Sequence, residues 1–359
     1  MIAQLLARKE ICICAGAGGV GKTTTSASIA LGMAERGRKV AVLTIDPARR
    51  LADSLGLPEL GNEERRVEID APGELWAMML DAKRTFDQLI EWHAPDERTR
   101  DAVLGNRIYQ ELSSAVAGSQ EYMAMEKLYE LHQEGRYDLL VLDTPPTRSA
   151  LDFLDAPRKL GAFIDARSLR LFTAPGRLGL NVFGRGAGVA SSIMSRATGI
   201  DLLRDLSEFF RSFGEMSQGF RERAERVNQL LADRHSTFLL VTSPREDAID
   251  EAMYFHDRLV DAALPFGGVV VNRVHEVEDG ATAQGLAELL GEELAGRVET
   301  NLCDYRRLAE RERRDLAALH RRLGRRPMIE VPELDDDVHD IDGLRRVEEY
   351  LFNRSADLS

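Results

Sequence analysis

The chain has 359 residues, 44% of them hydrophobic and 30% charged, and carries a formal net charge of −13. That acidity argues against general affinity for nucleic acid or anionic membranes, since both require a positive field. Its three cysteines make no disulfide framework in so long a chain, which points to a reducing compartment. Arg8, Lys9 and Glu10 precede any apolar run, so no signal peptide is expected, and no stretch is apolar enough for a membrane span. The expected location is cytoplasmic.

In chain order, "ICICA" (Ile11 to Ala15) reads as a buried parallel strand, with Cys12 and Cys14 alternating with Ile11 and Ile13 on one buried face. A helix is expected from about Lys22 to Arg36, stopped by Gly37. "KVAVLTID" (Lys39 to Asp46) and "ELWAMML" (Glu74 to Leu80) read as strands, followed by "YDLLVLD" (Tyr137 to Asp143), "STFLLVT" (Ser236 to Thr242) and "FGGVVVN" (Phe266 to Asn272). "PMIEVPEL" (Pro327 to Leu334) is a weaker candidate. Helical stretches separate them, which predicts an α/β fold: a doubly wound, mostly parallel sheet whose ligand sits at the carboxyl ends of the strands.

Residues from about 82 to 135 and from about 150 to 235 show helical patterns without strands. They predict an inserted helical subdomain, the nucleotide-binding core being approximately 1–81, 136–149 and 236–359. Within the insertion, Leu202, Leu206, Phe209, Phe213, Met216, Phe220, Ala224, Val227 and Leu231 recur at three- and four-residue steps. They predict a helix ~45 Å long whose stripe is either core or one wall of a groove for a client helix, with Met123, Met125 and Met194 as adaptable neighbours. Glycine-rich residues 173–192 read as a mobile loop. "RRLAERERRDLAALHRRLGRR" (Arg306 to Arg326) is basic, but interleaved Glu310, Glu312 and Asp315 make it a solvated helix face rather than a nucleic-acid site.

"GAGGVGKTTT" (Gly16 to Thr25) carries the chemistry. Glycine, four residues, then Gly21, Lys22 and Thr23 make a phosphate-binding loop between a strand and a helix. In it Gly16, Ala17, Gly18, Gly19, Val20 and Gly21 turn backbone N–H groups toward phosphate oxygens, and the helix N-terminus adds partial positive charge. Lys22 reaches the β- and γ-phosphates, the Thr23 hydroxyl holds magnesium, and Thr24 is placed for the α-phosphate. Asp143 and Asp46, each ending a buried strand, are the acidic candidates for the same metal.

"GGVGKTT", "TIDPARRLADSLG" (Thr44 to Gly56) and "LLVLDTPPTRSALDFL" (Leu139 to Leu154) together resemble the ArsA-like ATPases. That group includes arsenite-pump ATPases and ATPases that deliver tail-anchored membrane proteins, within the deviant-Walker-A class of P-loop NTPases. The resemblance continues through "VTSPREDAIDEA" (Val241 to Ala252), "VVVNRV" (Val269 to Val274) and "EVPELDDDVHDIDGL" (Glu330 to Leu344). It implies an ATP- and Mg2+-dependent dimer. Asp46-Pro47-Ala48 matches switch I, and Asp53 the aspartate that orients the attacking water. Asp143-Thr144-Pro145-Pro146-Thr147 matches switch II, Asn272 the asparagine bonded to adenine, and Pro332 a wall for the base.

The chain departs from the resemblance in four places. Ala17 stands where relatives carry a lysine that reaches the partner's phosphates. A heterodimer with a lysine-bearing paralogous ATPase, a substitute cation (Arg148, Arg49 or Arg50), or slow turnover in a homodimer are the open explanations. Arg148 and Ser149 replace a Gly-His pair in switch II. Pro244, Arg245 and Glu246 make only a loose match to a segment where relatives place a glutamate. The lack of a CxxC pair implies no zinc clamp, and Cys12, Cys14 and Cys303 form no evident cluster for arsenite. A hydrophobic or membrane-protein client is the expected partner; the alternatives are a regulatory nucleotide-binding subunit of a heterodimer with a lysine-bearing paralog, or a partition- or positioning-type switch.

Overall fold

The computed structural model describes residues 2–46, 48–107, 109–110, 119–145, 199–276 and 290–352. Their elements in chain order are α1 (Ile2–Leu6), β1 (Ile11–Ala15), α2 (Lys22–Glu35), β2 (Lys39–Thr44), α3 (Arg50–Ser54), β3 (Arg65–Val67) and β4 (Glu74–Met79). Next come α4 (Ala82–His93), α5 (Glu97–Leu104), α6 (Ser119–Glu134), β5 (Leu139–Asp143) and α7 (Gly199–Ala232). The last are β6 (Ser236–Thr242), α8 (Glu246–Asp261), β7 (Phe266–Val274), α9 (Glu292–Leu323), β8 (Met328–Pro332) and α10 (Ile341–Phe352). The chain divides into two compact units: Met1–Met79, Leu131–Leu151 and Leu231–Ser359 form one, Leu80–Glu130 and Asp152–Leu230 the other.

The first unit is built on an eight-stranded sheet in the order β3-β4-β2-β5-β1-β6-β7-β8. Only β3 runs antiparallel, pairing Arg65 with Ala77 at the edge. It is an element that sequence periodicity did not reveal, since three residues are too few to show alternation. The central strand β1 lies between β5 and β6 and is buried at every position. Ile11, Cys12, Ile13 and Cys14 are all fully buried, so β1 is the buried parallel strand expected, with the isoleucine face covered as well as the cysteine face. Cys14 and Thr44 both stand opposite Asp143, which brings the polar ends of β1, β2 and β5 level at one edge of the sheet. The chain order reverses around β1, and such a switch point leaves a crevice beyond the strand ends.

Helix α2 carries the residues that follow the phosphate loop, and α10 braces it. Leu344, Val347, Leu351 and Phe352 are buried, each worth about 1.5–3 kcal/mol if fully removed from water. Arg36 bonds Glu348 at 2.5 Å and lies 4.0 Å above the Phe352 ring. The Ser28 hydroxyl donates to Leu344 O at 3.0 Å. A pinned α2 keeps its first turn, and therefore Lys22 and Thr23, in a fixed place at the crevice.

In the second unit, Phe86 stacks on Tyr109 and Phe220 at 5.5 and 6.3 Å, and the Tyr109 hydroxyl donates to Asp87 Oδ1 at 2.6 Å. Glu126, buried to 1% exposure, takes Arg223 Nε at 2.8 Å and the Tyr122 hydroxyl. Burial raises its pKa, while those two donors oppose the shift. The α7 stripe is buried at Phe209, Met216, Phe220, Ala224, Val227 and Leu231, as are Met123 and Met125. At those positions the stripe is core. The side chains of Leu202, Leu206 and Phe213, together with Met194 and residues 173–192, lie outside the described residues.

The basic stretch proves to be the second half of α9, and it departs from expectation at one residue. Glu312 is buried, not solvated. It occupies a position on the inward stripe with Ala309, Leu316 and Leu319, where its carboxylate meets His275.

Candidate nucleotide-binding site

The loop from Gly16 to Gly21 has the backbone that its glycines permit. A Cβ at Gly16 would lie 1.9 Å from Val241 O of β6, so only glycine lets the loop leave β1 alongside that strand. Gly21 has φ +88° and stands before the first turn of α2, where a Cβ would meet Asn272 Nδ2 at 2.2 Å. No side chain caps α2, so its first N–H groups face the crevice, as an anion site requires.

Lys22 is buried, and its ammonium donates to Ala17 O at 2.8 Å. Burial lowers its pKa, against the pull of Asp143, Glu251 and Asp46. Position 17 thus acts on Lys22 through its carbonyl, whichever side chain it bears. Ala17 itself is buried, at 7% exposure.

Thr23 Oγ1 donates to Asp143 Oδ2 at 2.7 Å, and Thr44 Oγ1 donates to the same oxygen at 2.9 Å. The other oxygen, Oδ1, is buried without a hydrogen-bond partner. Burial pushes the Asp143 carboxyl up to about 6, with the two threonine bonds and the Lys22 charge pulling it back. An orphaned carboxylate oxygen beside a threonine hydroxyl is a donor set that suits a hard, oxygen-seeking cation. Asp46 is less committed: Oδ1 accepts from Ala48 N at 2.9 Å, and Oδ2 lies 3.8 Å from Arg50.

A cavity of about 520 Å³ opens over these groups. Gly19, Gly21, Lys22, Thr23, Thr24, Asp46, Asp53, Asn272 and Pro332 all line it, as does Arg50. Asp53 is exposed there, on the short α3. Asp143 stands behind the wall, and Thr144 takes its place in the lining. Ala17, Gly18 and Val20 instead face a neighbouring hollow of about 350 Å³. Arg49 lines a third space of about 270 Å³, with Leu51 and Met79. Pro47 of switch I, and Pro146, Thr147, Arg148 and Ser149 of switch II, lie outside the described residues.

Asn272 Nδ2 donates to Val20 O at 3.0 Å, so the amide grips the loop itself. The grip depends on a break in β7: its register with β8 shifts between Val271 and Val274, and Arg273 has φ 63°. A non-glycine residue in that left-handed conformation costs about 1–2 kcal/mol and marks a bulge that re-aims side chains. Arg273 and Glu333, 3.8 Å apart, line both the cavity and the hollow. Sequence reasoning missed this pair, and also Thr44 and His339. Thr44, two residues before Asp46 at a strand end, was the one with a visible signal.

A model of the anion-transporting ATPase family matches residues 9–284. The chain is 27% identical over 270 residues to ATPase get3 of Aspergillus terreus, covering 74% of this chain and 73% of that protein. It is 26% identical over 281 residues to putative arsenical pump-driving ATPase 1 of Aquifex aeolicus, covering 74% and 63%. The putative arsenical pump-driving ATPase of Halobacterium salinarum is 34% identical over 168 residues, 45% of this chain and 26% of that protein. With the phosphate loop, its lysine and the acid–threonine pair assembled at the sheet's edge, the chain belongs to the ArsA-like anion-transporting ATPase family and is a P-loop ATPase.

Proposed function

We infer that the protein is a Mg2+-dependent ATPase working as a dimeric nucleotide switch, in the cytoplasm, on a hydrophobic or membrane-protein client. The observation that carries the nucleotide part is the meeting of Lys22, Thr23 and Asp143 at the start of α2. Lys22 neutralises the β- and γ-phosphate oxygens, and the loop N–H groups hold the chain of phosphates in line. Thr23, Asp143 and Asp46 would hold the metal, which would supply positive charge to offset that of the phosphates. Asp53 orients the attacking water as an acceptor for its proton.

Base choice follows from Asn272. With one Nδ2 hydrogen bonded to Val20 O, Oδ1 can accept from the exocyclic amine of adenine, and the second Nδ2 hydrogen can donate to a neighbouring ring nitrogen of the same base. Pro332 walls the base. The client and dimer readings draw on the family and on relatives bearing the names ATPase get3 and arsenical pump-driving ATPase. The helical unit would transmit the nucleotide state to the client. Ala17, which brings no cation of its own, favours a second reading in which a lysine-bearing paralog completes a heterodimer.

Titration calorimetry with Mg·ATP tests the reading. Wild type should bind with heat that disappears in Lys22→Ala, and steady-state turnover should fall at least ~100-fold in that variant. Equal binding by the two proteins would end the assignment.

A further inference from the structure

Glu312 has no part in the nucleotide chemistry above, yet it is a carboxylate placed on the buried stripe of an otherwise solvated helix. Such a group is costly to bury unless donors meet it, and here both come from one residue. The backbone N–H of His275 donates to Oε2 at 3.0 Å, and His275 Nδ1 lies 2.8 Å from Oε1. The carboxylate is an acceptor only, so the imidazole proton sits on Nδ1. The Tyr305 ring meets the imidazole edge-on at 5.2 Å.

His275 follows directly on the broken end of β7. One residue earlier, Val274 O accepts from Glu333 N at 3.0 Å, and Val274 pairs with Pro332. Two residues earlier stands left-handed Arg273, and three earlier Asn272, bonded to Val20 of the phosphate loop. The bulge therefore lies between a grip at Asn272 and a clamp that Val274, paired to β8, and His275, held by Glu312, make together. Without the clamp, Arg273 can relax toward ordinary strand geometry, and that rotation turns the Asn272 amide off Val20.

We propose that Glu312 of α9 is a positioning residue for the base end of the nucleotide site, acting through His275 to hold the bulge that aims Asn272. This rests on the nucleotide reading above. Its signature is a change in base preference and KM with little change in kcat, because Lys22 and Thr23 are held in the first turn of α2, which α10 braces from its other end.

The test compares wild type with Glu312→Ala, Glu312→Gln and the exposed same-helix control Glu310→Gln, by calorimetry with Mg·ADP and Mg·GDP and by steady-state ATP and GTP hydrolysis. Glu312→Ala should weaken Mg·ADP binding about 10-fold, raise KM for ATP similarly, leave kcat within about threefold, and narrow the preference for adenine over guanine. Glu312→Gln keeps one acceptor oxygen and should fall between, near threefold, while Glu310→Gln matches wild type. Binding and base preference in Glu312→Ala within twofold of wild type would overturn the proposal. If Glu312→Ala does not fold, Glu312→Gln decides, and wild-type values in that variant overturn it equally. A wild type that fails to bind Mg·ADP through Lys22 would instead refute the nucleotide reading itself.

Discussion

At Asp143 one buried carboxylate carries two opposed demands. In the proposed role it must be ionised to hold a cation, yet burial pushes its pKa up to about 6. A folded value above the ordinary one means that the folded state holds the proton better than the unfolded chain. The contribution to stability is full below the unfolded value, ~3.9, and is lost as pH rises through about 6. Two outcomes follow. In nucleotide-free protein, apparent Mg2+ affinity should tighten as pH rises through about 6, and Asp143→Asn should abolish that dependence, with Mn2+ relaxation enhancement as the readout. At pH 8 the same variant should be more stable than wild type by roughly 2–3 kcal/mol in urea unfolding, since it buries no charge. Equal stability would mean that the threonine donors offset the burial completely.

The elements matter through how they hold backbone at the crevice. Gly21 joins the loop to α2 with φ +88°, and Asn272 packs against it. Gly21→Ala adds the cost of a left-handed alanine, about 1–2 kcal/mol, and drives the Asn272 amide from Val20. A melting temperature several degrees lower and Mg·ATP binding weakened at least ~10-fold are expected, by calorimetry and thermal melts. Retained affinity would show that the loop tolerates another path. Much of this was legible in the sequence. The strand–loop–helix order, the polar residues at strand ends and the roles open to Lys22 and Thr23 all follow from short-range patterns. Glu312 was not legible, because a glutamate among arginines on a helix looks solvated unless one knows that His275 packs beneath it. The edge strand β3 and the Arg273 bulge were hidden for the same reason: pairing partners, not local residues, define them.

For the whole molecule, the proposed dimer would need a cation to reach across from one chain to its partner's nucleotide. Ala17 offers no charge, and Arg50, the cation of switch I that lines the cavity, is paired with Asp46 at 3.8 Å. If the working form is a dimer, activity per chain should rise with protein concentration, and sedimentation velocity should show a nucleotide-dependent shift to twice the chain's mass. Asp53→Asn, which should bind but not hydrolyse, ought to hold that dimer under Mg·ATP. A concentration-independent rate with a single monomeric species would remove the homodimer and turn attention to a paralog. Among the described residues no helix is long and apolar enough to cross a membrane.

Sequence alone determined what local chemistry can express. A buried strand, a glycine turn and a lysine–threonine pair at a helix start need only neighbours along the chain, so their order announces a phosphate site. Tertiary structure decided what depends on residues far apart in sequence. It joined Thr23 to Asp143, turned Asn272 onto Val20 and set Glu312 under His275. Those contacts arise from strand order and from helices packed on the sheet, which no short stretch of sequence encodes.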